Sequence, residues 1–446
     1  MTTKLTDKNI SNVSNLGISW QAVKTTAFNA VVGEGYFVNT TSGVVTVTLP
    51  SSANAGDTIA IKDYAGTFAT NNLTIARNGH NIQGVANNSL ISTNRANVEL
   101  AYIDSTKGWL FTNESNVADL EYKTYIAATG GTVSTDGDFK VHSFTGDGCF
   151  VVSVVGNPAG SDTVDYLVVA GGGGGGSGAG NGGGGGGAGG VREGYNPGSY
   201  TASPLVTSAL PVTATGYPIT VGGGGALVPA SGNGTTTTGA TGSNSVFSTI
   251  TSAGGGGGAG GNNAVGVAGG SGGGAGGGGQ NAAGGAGNTP PVSPSQGNTG
   301  GAITPAHSPD IASSGGGGAG GTGKNNGADT TPQGYGTNGG IGVTTSINGT
   351  ATGYGGGGGG SAYLTPSGGR GNDHNWPNGG AASPGIAVGA TTAFGGGRGG
   401  NWNNPGSGTA GESGGTNKGG GGGGTGYNNT GAGGSGIVII RYKFQN

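Results

Sequence analysis

The side chains able to do acid–base or metal chemistry are few and scattered. The four histidines, His80, His142, His307 and His374, lie far apart, and no two stand at metal-ligand spacing. Asp373-His374 is the one adjacent acid–base pair. It has no nucleophile or second carboxylate near it in sequence, and it reads as an exposed loop pair. Glycan cleavage needs two positioned carboxylates. Residues 171–446 hold only Glu193, Asp310, Asp329, Asp373 and Glu412, widely separated. Gly323-Lys324-Asn325 lacks the Ser or Thr of a phosphate-binding loop. Matches to G-x-G-x-x-G follow from glycine density alone, and none sits in a strand–helix–strand unit. The single cysteine, Cys149, makes neither a disulfide framework nor a thiolate metal site. The expectation is a protein with no catalytic centre, no metal and no cofactor.

Binding chemistry is better represented. Short non-repetitive segments carry aromatics between glycine runs: Glu193 to Tyr200 with Tyr195, Gln333-Gly334-Tyr335, Tyr363-Leu364-Thr365-Pro366, Asn372 to Asn378 with His374 and Trp376, Asn401 to Pro405 with Trp402, and Tyr427-Asn428-Asn429. Tyr and Trp on a stiff frame give large contact area at low entropic cost, and Asn, Ser and His add polar contacts. Apolar sugar faces also stack on such rings. The candidate contact residues are therefore Tyr195, Tyr200, Tyr335, Tyr363, His374, Trp376, Trp402 and Tyr427. The competing reading is that these rings cover the sides of the frame or fill subunit contacts.

Composition narrows the partners. The chain has 446 residues, 8% of them charged, and a formal net charge of −3. So few Lys and Arg offer no basic surface for phosphates, which argues against nucleic acid. No apolar run approaches a membrane span, and the N-terminal residues show no apolar signal segment.

Glycine divides the chain. Sixteen of its 115 glycines lie in residues 1–170, and the other 99 lie in 171–446. Residues 1–19 are polar and patternless, which suggests an attachment arm. Residues 20–117 alternate short strands with turns. Val45, Val47 and Leu49 alternate with Thr46 and Thr48; Ile59 and Ile61, Leu73 and Ile75, and Val98, Leu100 and Tyr102 repeat that period of two. Asn78-Gly79 is a hairpin-type turn pair. The unit reads as a small all-β domain with little core, which self-association would help to stabilise.

From 118 onward further strands are expected at Tyr122–Ala127, Phe139–Phe144, Phe150–Val155 and Val164–Ala170, the last apolar on both faces and so buried. This strand runs straight into Gly171–Gly176. The junction recurs where Tyr217–Val221, Val246–Thr251 and Thr391–Phe394 meet glycine, and Gly436–Phe444 closes the chain as a strong β segment. The glycine tracts thus read as insertions between strands of one sandwich. A polyglycine segment has no side chain to bury, but its backbone is dense in donors and acceptors. One arrangement uses both facts: a helix of about three residues per turn with about 3.1 Å rise and no internal hydrogen bonds, packed beside others of its kind. Each net hydrogen bond contributes only about 0.5–1.5 kcal/mol, so many tracts must pack together. The alternative is a flexible linker.

The run His142 to Phe150, then Asp165 to Gly176, then glycine tracts and the closing Gly436–Phe444 resembles the glycine-rich domains of bacteriophage tail fibres. The likeness is to fibres of marine and cyanobacterial phages and to the tips of some long tail fibres, where receptor loops stand on a polyglycine bundle. The order also resembles the extracellular glycine-rich domain of the anaplastic lymphoma kinase receptors, a sandwich of tumour-necrosis-factor-like topology, though this chain lacks that family's cysteines. The segment Trp20–Val117 is similar to repeat-type domains of phage fibres.

The expected fold is all-β, essentially without α-helix: an arm (1–19), a small oligomerising β domain (20–117) and a β-sandwich with an inserted polyglycine bundle (118–446). The resemblance implies a homotrimeric, non-enzymatic receptor-binding adhesin on a virion tail. Its N-terminus would join other tail or fibre proteins, and its partner would be a bacterial surface glycan or outer-membrane protein. The rivals are a structural filament or matrix protein whose purpose is the glycine packing, an ice-binding protein and a polysaccharide depolymerase.

Overall fold

A computed structural model describes residues 17–116, 123–158, 160–230, 235–278, 280–304, 313–326, 336–364, 393–403 and 407–445. The expected arm falls outside these residues except for its last three positions. Among the described residues the protein is all-β, with no α-helix. The chain divides into two compact units, Met1–Tyr122 and Lys123–Asn446.

In the first unit the strands are β1 (Ser19–Lys24), β2 (Phe28–Asn29), β3 (Glu34–Val38), β4 (Val45–Thr48), β5 (Thr58–Asp63), β6 (Leu73–Ala76), β7 (Ser89–Ile91), β8 (Ala96–Asp104) and β9 (Gly108–Asn116). From β1 to β6 successive strands alternate between two sheets, which are completed as β1-β3-β5-β8-β9 and β2-β4-β6-β7. Within them β1, β3 and β5 are parallel, as are β2, β4 and β6, so the chain winds as a coil with one strand in each sheet per turn. The alternating apolar residues point inward as their period requires. Val45, Val47, Leu49, Ile59, Ile61, Leu73, Ile75, Val98, Leu100 and Trp109 form one continuous core. That core is larger than the composition suggests, because residues from both sheets share it. Asn78 and Gly79 do take positive φ, 47° and 92°. They do not close a hairpin, however: β6 lies parallel to β4 and pairs with β7 only after a longer connection.

In the second unit the strands are β10 (Ala127–Thr129), β11 (Thr132–Asp136), β12 (Phe139–Phe144), β13 (Gly148–Val154), β14 (Thr163–Val169), β15 (Val191–Tyr195), β16 (Val206–Ser208), β17 (Leu210–Pro211), β18 (Gly216–Thr220), β19 (Ser245–Phe247) and β20 (Ile250–Ser252). They continue with β21 (Val343–Thr345), β22 (Thr352–Tyr354), β23 (Ala362–Leu364), β24 (Asn401–Asn403), β25 (Ser407–Gly408) and β26 (Ile437–Lys443). A five-stranded sheet, β10-β13-β18-β19-β20, faces a larger one in the order β11-β12-β26-β14-β15-β16. Between them lie Phe150, Ile219 and Phe247 from the first, with Tyr166, Val168, Val438 and Ile440 from the second. The other face of the larger sheet is buried too, with Leu167, Val169, Val191 and Ile439 against Val343, Ile347 and Tyr354. This explains why β14 and β26 are apolar at successive positions rather than at alternate ones.

Three expected strands differ. Of Tyr122–Ala127, Tyr122 lies outside the described residues, 123–126 are irregular, and only Ala127 belongs to a strand, β10. Val246–Thr251 is a hairpin, β19 to β20, turning at Ser248, whose φ is 54°. Ala393-Phe394 is a turn, and Thr391 and Thr392 lie outside the described residues.

Candidate functional site

The glycine tracts start where the sandwich strands stop. At that boundary buried serines join the two sheets: Ser245 Oγ donates to Val169 O and Ser252 Oγ to Val168 O, both at 2.8 Å, and Gly222 N donates to Ser245 Oγ at 2.8 Å. Beyond it the backbone bonding changes period. Gly171, Gly174 and Ser177 donate to Ser243, Ala240 and Thr237 at 3.0, 2.8 and 2.8 Å. Gly172 and Gly175 donate to Gly434 and Gly431, both at 2.9 Å, and Gly173 and Gly176 to Gly187 and Gly184 at 2.8 and 2.9 Å. Every third residue addresses the same neighbour, the signature of a helix with about three residues per turn. The tract also accepts from three further segments, through Gly255, Gly225 and Gly422. It therefore has six backbone neighbours and needs no side chains to satisfy its polar groups. Nor is there room for any: a Cβ added at Gly173 would sit 2.2 Å from Gly256 O, and one at Gly186 would sit 2.1 Å from Gly173 O.

The tracts end together. Ser177 bridges Thr237 and Thr425, and just past this level the chain reverses at 178–181, 260–263 and 426–429. These turns touch. Gly178 N donates to Thr425 O at 3.0 Å, and Asn181 Nδ2 donates to Asn262 Oδ1. A Cβ added at Gly180 would lie 2.6 Å from the Tyr427 hydroxyl. Asn side chains also tie these turns to other segments: Asn263 Oδ1 accepts from Gln280 N at 2.9 Å, and Asn429 Oδ1 accepts from Ala230 N at 2.7 Å. Asn262 and Asn263 both take left-handed φ, 62° and 57°, which Asn tolerates better than other side chains of its size.

The predicted contact residues separate onto two ends of this unit. Tyr427 is at the tract tips, half-buried. Tyr363 lies on β23 and Trp402 on β24, and the parallel register sets the two positions opposite each other. Tyr335, His374 and Trp376 lie outside the described residues. Tyr195 and Tyr200 are elsewhere. Since Val169 pairs with Val191 at the tract end of the sheet, Tyr195 closes β15 at the opposite end. The two rings meet edge to face with centroids 5.1 Å apart.

Sequence reasoning missed what surrounds those rings. Tyr200 donates to Glu193 Oε1 at 3.0 Å, and Glu193 also accepts from Ser203 N at 3.0 Å and Thr345 Oγ1 at 2.5 Å. Burial and the neighbouring Glu193 raise the Tyr200 pKa. Arg441, 2% exposed, bonds Asp136 Oδ2 at 2.7 Å and Ser199 O at 3.1 Å, with its guanidinium 4.2 Å over the Phe139 ring. Asp165, its register partner on β14, accepts from Asn196 N at 2.7 Å and Ser199 Oγ at 2.8 Å. Burial pushes the Asp165 carboxyl up to about 6. A cleft of about 410 Å³ opens beside it, lined in part by Asp162, Asn196, Ser199 and Lys443. Charge placed at adjacent positions of two neighbouring strands was visible in the sequence as Asp165 and Arg441 inside apolar runs. Only the pairing of the last strand with β14 brings them together. Glu193, one of the five scattered carboxylates of residues 171–446, is a buried acceptor with three donors rather than a group open to solvent.

Among the described residues no group of three or more His, Cys, Asp or Glu side chains is placed to hold a metal ion. No family model matches the chain, and no curated protein matches its sequence.

Proposed function

We propose that the protein is a receptor-binding adhesin of a bacteriophage tail fibre, a homotrimer that attaches to a surface glycan or outer-membrane protein of a bacterium. The observation that carries this reading is the tight, six-neighbour packing of side-chain-free tracts that end together in turns bearing Asn and Tyr. A stiff frame with polar and aromatic residues at its tips is what a binding surface needs, since little entropy is lost when the partner docks. Several copies on one particle would convert modest single-site affinity into firm attachment. The N-terminal residues would join other tail or fibre proteins, and the coiled β unit would contribute to the oligomer.

The test uses the labelled full-length chain on a panel of bacterial strains, with intact-mass measurement of the oligomer. The reading expects saturable binding to a subset of strains, and at least a tenfold loss in Trp402→Ala and Trp376→Ala. Polymerisation of the purified chain with no cell binding would instead establish the structural filament.

A further inference from the structure

Resting on that reading, we infer that the contiguous tip surface made by Asn181, Asn262, Asn263 and Tyr427 recognises a neutral carbohydrate rather than a protein. The described tip turns 178–181, 260–263 and 426–429 contain no Asp, Glu, Lys or Arg. Their polar groups are carboxamides and a phenol. A carboxamide presents a donor and an acceptor side by side, which suits vicinal hydroxyls that are themselves donors and acceptors. Protein surfaces, by contrast, carry charges at their rims and select partners with complementary charge. These three described turns, without charge, have no such means of selection.

The geometry adds preorganisation. The Asn181 carboxamide is held on Asn262, which is exposed, and Asn263 is fixed by the Gln280 amide. These amides stand on turns anchored to packed tracts, so they need little ordering when a ligand arrives. Tyr427 supplies an aromatic ring beside the bare backbone of Gly180, and a sugar's apolar face packs on such a ring. Binding of this kind is insensitive to ionic strength because no charge pairs are involved.

The experiment presents the full-length chain to two arrays, one of neutral and acidic oligosaccharides and one of purified outer-membrane proteins, at about 50 mM and 500 mM NaCl. The inference expects capture by neutral oligosaccharides, changed less than twofold by salt. It expects at least a tenfold loss in both Asn262→Ala and Tyr427→Ala, with Tyr427→Phe retaining most of the binding. Each variant's thermal transition is checked against the parent, and Tyr427→Phe serves as the folded control. Capture by outer-membrane proteins alone, or by acidic oligosaccharides with a steep salt dependence, overturns the inference and leaves the adhesin reading standing. Wild-type levels of oligosaccharide capture in both alanine variants also overturn it. No capture on either array, with no binding to any strain, overturns both.

Discussion

At single positions, glycine is selected here by space as much as by conformation. A Cβ at Gly173 would sit 2.2 Å from a carbonyl oxygen with packed backbone on every side, so the collision is relieved only by separating tracts. At Gly223 an added Cβ meets nothing within 4 Å, and the residue is exposed at the edge of the bundle. Gly173→Ala is expected to destabilise the second unit by about 3 kcal/mol or more. Gly223→Ala should stay within about 0.5 kcal/mol of the parent. Denaturant unfolding of the two variants checks both figures. Equal tolerance at the two sites would mean that the tracts are not in contact. The same logic explains why the tips differ in composition: past Ser177 the packing ends, and Asn and Tyr appear where side chains have room.

At the level of strands, β26 holds the second unit together. It lies between β12 and β14 in the larger sheet and carries Arg441 to Asp136 and Ser199. Its neighbour Asp165 gives this sheet end a measurable titration. The folded-state pKa of about 6 lies above the ordinary 3.8, so between these values the folded chain holds more protons than the unfolded chain. The Asp165 contribution is therefore most favourable below pH 3.8 and declines as pH rises through about 6, by on the order of 2–3 kcal/mol. Asp165→Asn removes that decline, so the variant should gain on the parent by about this amount as pH rises from 4 to 7. His142 runs the other way: burial lowers its pKa from 6.5, so its stabilisation is present above pH 6.5 and fades as pH falls. It is common to both proteins and cancels in the comparison. Unfolding curves across that range give the difference, and parallel profiles would refute a buried, proton-hungry Asp165. The strand itself was readable in the sequence as Ile437-Val438-Ile439-Ile440, and so was β14. Arg441 and Asp165 as partners were not, because more than 270 residues separate them.

In the molecule as a whole, legibility follows how local each signal is. Alternation at Val45–Leu49, Ile59–Ile61 and Leu73–Ile75 correctly located strands and their buried faces. It gave no hint that β1, β3 and β5 run parallel, since the register offsets differ: Ser19 pairs with Glu34, but Gly35 pairs with Ala60. A coil of unequal turns leaves no repeat to find in the sequence. The tracts were visible as composition, and their ordered packing followed from their having nothing else with which to satisfy their amides. The division of the aromatic candidates between two ends of one unit was not visible, because it depends on which end of each strand feeds a tract.

Backbone pairing alone makes the glycine tracts a rigid frame. Hydrogen–deuterium exchange of the native full-length chain tests it most directly, read at the amides of 171–176, 184–190, 254–259 and 419–425. These amides are expected to be protected as well as those of β14 and β26, with exchange slowed by about a thousandfold or more relative to an unstructured peptide. Exchange of these amides at the rate of an unstructured peptide, while β14 and β26 remain protected, would contradict it.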